Sequence, residues 1–324
     1  MTAPQPATVH EFSIDESAAG KRLDKALAEA LPDYSRSRLK QWLEEGALTV
    51  DGISPAPKTV VAGGERVRLV VPETPHDESV APERIQLNII HEDAAILVLD
   101  KPAGLVMHPG AGNASGTLQN ALVAYDDSLA ALPRAGIVHR LDKDTSGILV
   151  VAKTFAAHKQ LVADLAERTI KREYEAVSVG VMTAGGHVDA PIDRHPVDRK
   201  KMAIREEGRE AVTHYRVIDK YRSHTHIRCQ LETGRTHQIR VHMAHVRFPL
   251  LGDPVYGRRL ALPKDASPAF ADALRGFKRQ ALHAATLGLA HPDTGEAMQW
   301  SAPRPADFET LLAALAADAR EHRT

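Results

Sequence analysis

At about 100–200 residues per domain, 324 residues hold two domains or one large domain with an appendage, and 43% hydrophobic with 26% charged residues excludes fibrous and wholly disordered chains. Lys+Arg 41 against Asp+Glu 42 gives a formal net charge of -1, which excludes a uniformly basic nucleic-acid coat but leaves room for a local basic face. A single cysteine, Cys229, excludes a disulfide framework or multi-cysteine zinc site, and the absence of a long apolar run or signal-peptide pattern makes a cytoplasmic protein with no membrane anchor the expectation.

Residues 1–17 are polar and Pro-containing and read as a flexible, frayed N-terminus. Residues 18–77 read as a compact module. Leu23, Leu27 and Leu31 recur at helical spacing, and Ser35 reads as the N-cap of a second helix with Leu39, Trp42 and Leu43 on one face. Gly46 is a helix stop. Leu48 and Val50 alternate into a strand, Asp51-Gly52 is a hairpin turn signal, and Val67, Leu69 and Val71 alternate in a closing strand. Pro72 to Arg84 is rich in prolines and acids and reads as a tether, with the linker set at residues 78–90.

Beyond it the period changes. Ile96–Leu99, GILVVAKT, YEAVSVGVM, THYRVIDKY and THIRCQLETG are strand candidates rich in β-branched residues, with helices such as AAHKQLVADLAER between them. Residues 91–324 therefore read as an α+β domain on a mixed, largely antiparallel sheet, closed by the amphipathic helix FETLLAALAADAREHRT.

Charge is not spread evenly. From Arg194 to His245 there are twelve Lys/Arg against six acids, with seven of the 17 His. A polyanion partner is one reading, and a solvated face whose charges pair off within the fold is the other. In the first module Arg36, Arg38 and Lys40 make a smaller basic helix, on which Arg36 and Lys40 share a face.

The most informative stretch is Ala135 to Thr154, AGIVHRLDKDTSGILVVAKT, a polar cluster feeding an apolar strand. Asp142 and Asp144 there suit an acid/base pair, Mg²⁺ ligands or plain turn residues. Ser146 with His139 suggests a hydrolase only weakly, because G-x-S-x-G is absent. His237, His242 and His245 cluster as a zinc site would, but without cysteine ligands nearby.

HRLDKDTSG resembles the signature of the RluA family of pseudouridine synthases. DKPAGLVMHPGAG, KREYEAV, ETGRTHQIRVHMAH, GDPVYG and ALHAATLGLAHP follow that family's order, and the first module, with YSRSRLKQWL, resembles the S4 RNA-binding fold. The resemblance covers about Gly20 to Pro305. It implies an isomerase that breaks a uridine's N-glycosidic bond and rejoins the base through carbon, without cofactor or metal. It implies ribosomal RNA of the large subunit (23S) as partner, in the stem-loop called helix 69, either free or in an assembled or precursor subunit.

The resemblance also assigns residues. The catalytic carboxylate falls on Asp142, acting as nucleophile or as base. Arg240 is its ion-pair partner, with Arg235 as the rival; Tyr174 stacks on the uracil; Ile239 is an apolar wall. Arg140 enters the gap left by the flipped nucleotide, with His139 beside it at the substrate. Arg36, Arg38 and Lys40 hold RNA. The alternative is a catalytically inert RNA-binding or ribosome-assembly factor that kept the fold.

Overall fold

The computed structural model describes residues 9–31, 34, 36–71, 80–110, 112–198 and 201–322. The chain divides into two compact units, Met1–Ser79 and Val80–Thr324.

In the first unit the elements are β1 (Val9–Ser13), α1 (Leu23–Ala30), α2 (Arg36–Glu44), β2 (Leu48–Val50) and β3 (Arg66–Val70). The sheet order is β1-β3-β2, all antiparallel. Alternation decides which face is buried: Val67 and Leu69 point inward onto Leu23, Leu27, Leu39 and Trp42. Residues 9–13, read above as frayed, are instead a full edge strand. Their alternating polar pattern is that of a half-exposed strand, and Phe12 packs on the core. Residues 1–8 and Ser35 lie outside the described residues. Asp51 and Gly52 both take positive φ, 50° and 78°, as a tight turn requires. The turn closes only Val50 onto Ile53, and residues 53–65 intervene before β3.

The second unit runs β4 (Asn88–Glu92), β5 (Ile96–Lys101), α3 (Leu118–Tyr125), β6 (Ser146–Ala152), α4 (Phe155–Ala166), β7 (Lys171–Val179), β8 (Gly186–Asp189), β9 (Ile192–Arg194), β10 (Met202–Ile204), β11 (Val212–Lys220), β12 (His224–Leu231), α5 (Gln238–His245), α6 (Pro268–Gly276), β13 (Leu282–Ala290), β14 (Ala297–Ser301) and α7 (Ala306–Glu321). One sheet is ordered β4-β5-β6-β13-β7-β12-β11-β8, with β14 also on β13; β9 and β10 form a separate ribbon. Every ladder is antiparallel except β6–β13.

That parallel ladder sits mid-sheet and is short, pairing only His283 with Ser146 and Ala284 with Gly147. Gly147 has φ 113°, and a Cβ there would collide with the Ala284 carbonyl, so glycine lets the two halves close. The loop before β6 and the middle of β7 thereby meet at the centre of the sheet. The core beneath is continuous, with Ile96–Leu99 and Ile148–Ala152 nearly solvent-free.

Residues 80–90, assigned above mainly to the linker, are tied to this unit. Glu83 N donates to the Asn120 carbonyl, Asn120 Nδ2 donates to the Ala81 carbonyl, and β4 already begins at Asn88. No helix of the described residues is long and apolar enough to cross a membrane.

Candidate active site

Asp142 sits in the loop entering β6, and that loop is held from three sides. The Asp142 carbonyl accepts from Thr145 N, Gln280 Nε2 donates to Thr145 Oγ1 at 3.0 Å, and Arg279 Nη1 donates to the Asp144 carbonyl at 3.2 Å. Lys101, 1% exposed, donates from Nζ to the carbonyls of Pro102, Leu105 and Lys143 at 2.8, 3.0 and 3.0 Å. Burial pushes its pKa down to about 8, against the pull of the Asp144 and Asp142 charges.

α5 brings the cation. Its first residue, Gln238, is fully engaged: Oε1 accepts from Thr233 Oγ1 and Arg235 N, and Nε2 donates to the Val212 carbonyl and Thr213 Oγ1. A helix start fixed this firmly sets the direction of the next turn, which carries Ile239 and Arg240. Arg240 Nη1 donates to Asp142 Oδ2 at 2.9 Å, while Nε and Nη2 donate to Asp253 at 2.7 and 2.9 Å. Burial opposes a charge on Arg240, but the Asp253 bonds and the Asp142 charge outweigh it and raise its pKa. Asp253 is likewise penalised by burial, yet the Arg240 bonds keep its carboxyl below the usual range.

The pocket at this pair is small, with a volume of about 50 Å³, and is open to solvent. Asp142 and Arg240 line it together with Tyr174 and the apolar Ile239, Leu141, Leu231 and Leu282, and Arg235, His237, Gln238 and Thr145 complete the lining. Tyr174 comes from mid-β7 and is 6% exposed. Burial raises its hydroxyl pKa, with Arg172 opposing and Asp142 adding to the rise. A pocket lined by apolar side chains and one aromatic ring, with a carboxylate paired to a guanidinium, suits a ligand with an apolar face and polar edges.

Residues 95–245 match the RNA pseudouridylate synthase family, and residues 21–67 match the S4 domain. A ribosomal large subunit pseudouridine synthase D of Xanthomonas campestris is 54% identical over 316 residues, covering 97% of this chain and 95% of that protein. The protein of the same name from Escherichia coli K12 is 53% identical over 312 residues, covering 96% and 95%. The chain belongs to the RNA pseudouridylate synthase family. A solved human structure, RNA Pseudouridylate Synthase Domain Containing 4, shares 28% identity at TM-score 0.55, over 71% of this chain and 93% of that one.

Within this pseudouridylate synthase fold, Asp142, Tyr174, Arg240, Ile239 and Arg235 come together around one pocket. Arg235 is not the carboxylate's partner: its Nε donates to the Glu210 carbonyl at 2.9 Å. Arg140 is exposed on the loop outside the pocket lining. His139 departs from its assignment. It is turned inward, its Nε2 accepts from Val150 N at 3.1 Å, and burial together with Arg172 pushes its pKa down to about 3. It supports β6 and is not in the pocket. Ser146 bonds His283, not His139, so the hydrolase pairing does not form.

His242 bonds Thr213 through Nδ1 and the Ala190 carbonyl through Nε2, and no metal-holding group of three occurs among the described residues. In the S4 domain Arg36 donates to the buried Asp24 at 2.8 Å, Lys40 lies 3.5 Å from Glu44, and the Arg38 side chain lies outside the described residues. The basic stretch is partly internal: Arg222 pairs with buried Asp318, and Arg240 is itself buried.

Asp253, Tyr256 and Lys101 were not singled out from sequence, and His237 was considered only as part of a zinc-like histidine cluster, whereas it lines the pocket beside Asp142. All four lie in quoted motifs, and the signal for them was a polar residue inside an otherwise apolar or glycine-bearing run.

Proposed function

We propose that this protein isomerises uridine to pseudouridine in large-subunit ribosomal RNA, at the helix 69 stem-loop, with Asp142 as the catalytic carboxylate. The ion pair of Asp142 with Arg240, set against the walls of Tyr174 and Ile239, carries the reading. The names and near-full coverage of the relatives support ribosomal RNA as the substrate, and the S4 domain supports an RNA partner.

The chemistry follows from the arrangement. A uridine must leave the stack to reach a carboxylate in a pocket. Arg140, exposed two residues before Asp142, is suited to fill the gap it leaves, because a planar guanidinium stacks and also meets phosphates. Asp142 acts on the sugar side of the glycosidic bond, and Arg240, bonded to its Oδ2, holds the carboxylate aimed. The N1–C1′ bond breaks, the base turns against Tyr174 and Ile239, and a C5–C1′ bond forms. The C5 proton is lost and N1 gains one, so nothing is oxidised or reduced. Arg36, Arg38 and Lys40 of the S4 domain contact phosphates and position the RNA.

Ribosomal RNA labelled with tritium at uridine C5 tests this. The expected result is tritium release by the wild-type protein and none by Asp142→Asn, with RNA binding retained by both. Mapping pseudouridines in ribosomal RNA from cells lacking the protein should show the loss in helix 69. Binding without tritium release by the wild type would make it an RNA-binding assembly factor instead.

A further inference from the structure

His237 occupies a backbone conformation that non-glycine residues rarely adopt, φ 56° and ψ 21°, at the N-cap of α5. Such strain persists where surrounding contacts hold the side chain. Here the ring is held by Tyr256, with His237 Nδ1 2.8 Å from the hydroxyl and the rings edge to face at 5.5 Å.

The hydroxyl also accepts from Met202 N at 2.8 Å. A phenol has one proton to give, and among the described hydrogen bonds of Tyr256 the one group able to accept it is Nδ1. A neutral imidazole that accepts at Nδ1 carries its hydrogen on Nε2. His237 is kept neutral by burial, which lowers its pKa although Asp142 pulls the other way. Nε2 lies 3.8 Å from Asp142 Oδ1, the oxygen opposite the one bonded by Arg240. Tyr256 also lies under Arg240, with the guanidinium carbon 5.1 Å from the ring centroid. One tyrosine thus braces both groups that face the carboxylate.

We propose that His237 is a positioning residue for Asp142: Tyr256 fixes its tautomer, and its Nε2–H becomes the second donor that orients the carboxylate. The 3.8 Å separation exceeds a hydrogen bond, and it shortens when the base fills the pocket, as catalytic hydrogen bonds do on substrate binding. The inference rests on Asp142 being the catalytic carboxylate.

The test uses the full-length protein and C5-tritiated large-subunit ribosomal RNA, under single-turnover conditions at saturating RNA. A hydrogen bond to a charged group is worth about 1.5–3 kcal/mol, so His237→Leu should slow tritium release about ten- to a hundredfold, with RNA affinity unchanged. His237→Gln places an amide N–H near the former Nε2 and should be severalfold faster than the leucine variant. Nitrogen NMR of histidine-labelled wild type should find the His237 proton on Nε2, and Tyr256→Phe should allow a tautomer mixture.

A wild-type proton on Nδ1 would overturn the proposal without any variant having to fold. So would a leucine variant at wild-type rate, or a folded glutamine variant no faster than leucine. Asp142→Asn separates the two readings: turnover by that variant removes the catalytic assignment itself, whereas its inactivity beside an unaffected His237→Leu removes only the role of His237.

Discussion

Asp253 grips Arg240 through two parallel bonds, at 2.7 Å from Nε and 2.9 Å from Nη2, and its side chain has 0% exposure. Asp253 is in turn fixed by Val255 N and Tyr256 N, which donate to Oδ1 at 2.8 and 3.0 Å. The guanidinium is therefore oriented from behind, and only Nη1 is bonded to Asp142. Asp253→Asn keeps the shape and removes the charge. Removing one partner of a buried pair costs about 3–5 kcal/mol, so urea unfolding should show a loss of that order. Single-turnover isomerisation should fall while RNA affinity holds. Unchanged stability would mean that Asp142 alone satisfies Arg240.

Asp142, Tyr174 and Arg240 were legible only through the family resemblance of their motifs; by residue type alone Asp142 reads as a turn residue and Tyr174 as core. Asp253 was not legible as their support. It lies 13 residues beyond Arg240, and only the turn of the chain after α5 returns it to the guanidinium. His139 misled for a related reason. Next to Arg140 and Asp142 it shares their polar run, but the bond from Val150 turns it into the fold. Strands with strong β-branched runs were readable, whereas β1, β9 and β10 were not, because short or half-exposed strands carry weak patterns.

Lys101 is a second buried support. Its three bonds join the Pro102–Leu105 turn to Lys143, next to Asp142. Lys101→Met fills the volume but removes the ammonium from the Pro102 and Leu105 carbonyls and leaves Lys143's carbonyl with Gly104 N–H alone, and each lost hydrogen bond to a charged group costs about 1.5–3 kcal/mol. The melting temperature should drop, and the single-turnover rate should fall more than RNA affinity does. Faster amide exchange at Gly104, whose N–H donates to the Lys143 carbonyl, would locate the damage; unchanged exchange there would exclude a clamp.

Stability should fall in mild acid. His224 is 1% exposed, and burial pushes its pKa down to about 4 despite Asp318; His139 is pushed down to about 3. In the unfolded chain both bind a proton below about 6.5. Between pH 6.5 and 4 the unfolded state therefore holds more protons, and unfolding becomes easier as pH falls. Each histidine contributes up to about 1.4 kcal/mol per pH unit in that window. Asp93 and Glu175, both lowered to about 2, act in the same direction only below the carboxylate range. Urea unfolding at pH 7, 6 and 5 should show the loss steepening, and His224→Gln should remove one histidine's share. A flat profile would mean these rings are protonated in the native state.

The two units should also separate cleanly, at a particular residue. Ala81 and Glu83 strap the start of α3: Asn120 Nδ2 donates to the Ala81 carbonyl at 2.7 Å, and Gly116 N donates to the Glu83 carboxylate at 3.0 and 3.1 Å. A chain beginning at Val80 keeps this strap and all of β4, and should fold. A chain beginning at His91 loses both, and should unfold at lower urea or aggregate. Without its S4 domain the longer fragment should bind ribosomal RNA more weakly. Its slope of log affinity against log salt should drop by about 0.7–0.9 for each lost phosphate contact. The defect should appear as a raised KM, with single-turnover chemistry at saturating RNA preserved, because the residues around Asp142 all belong to the unit that remains. If the fragment bound and modified full-length ribosomal RNA as well as the intact protein does, Arg36 and Lys40 would serve only their ion pairs with Asp24 and Glu44.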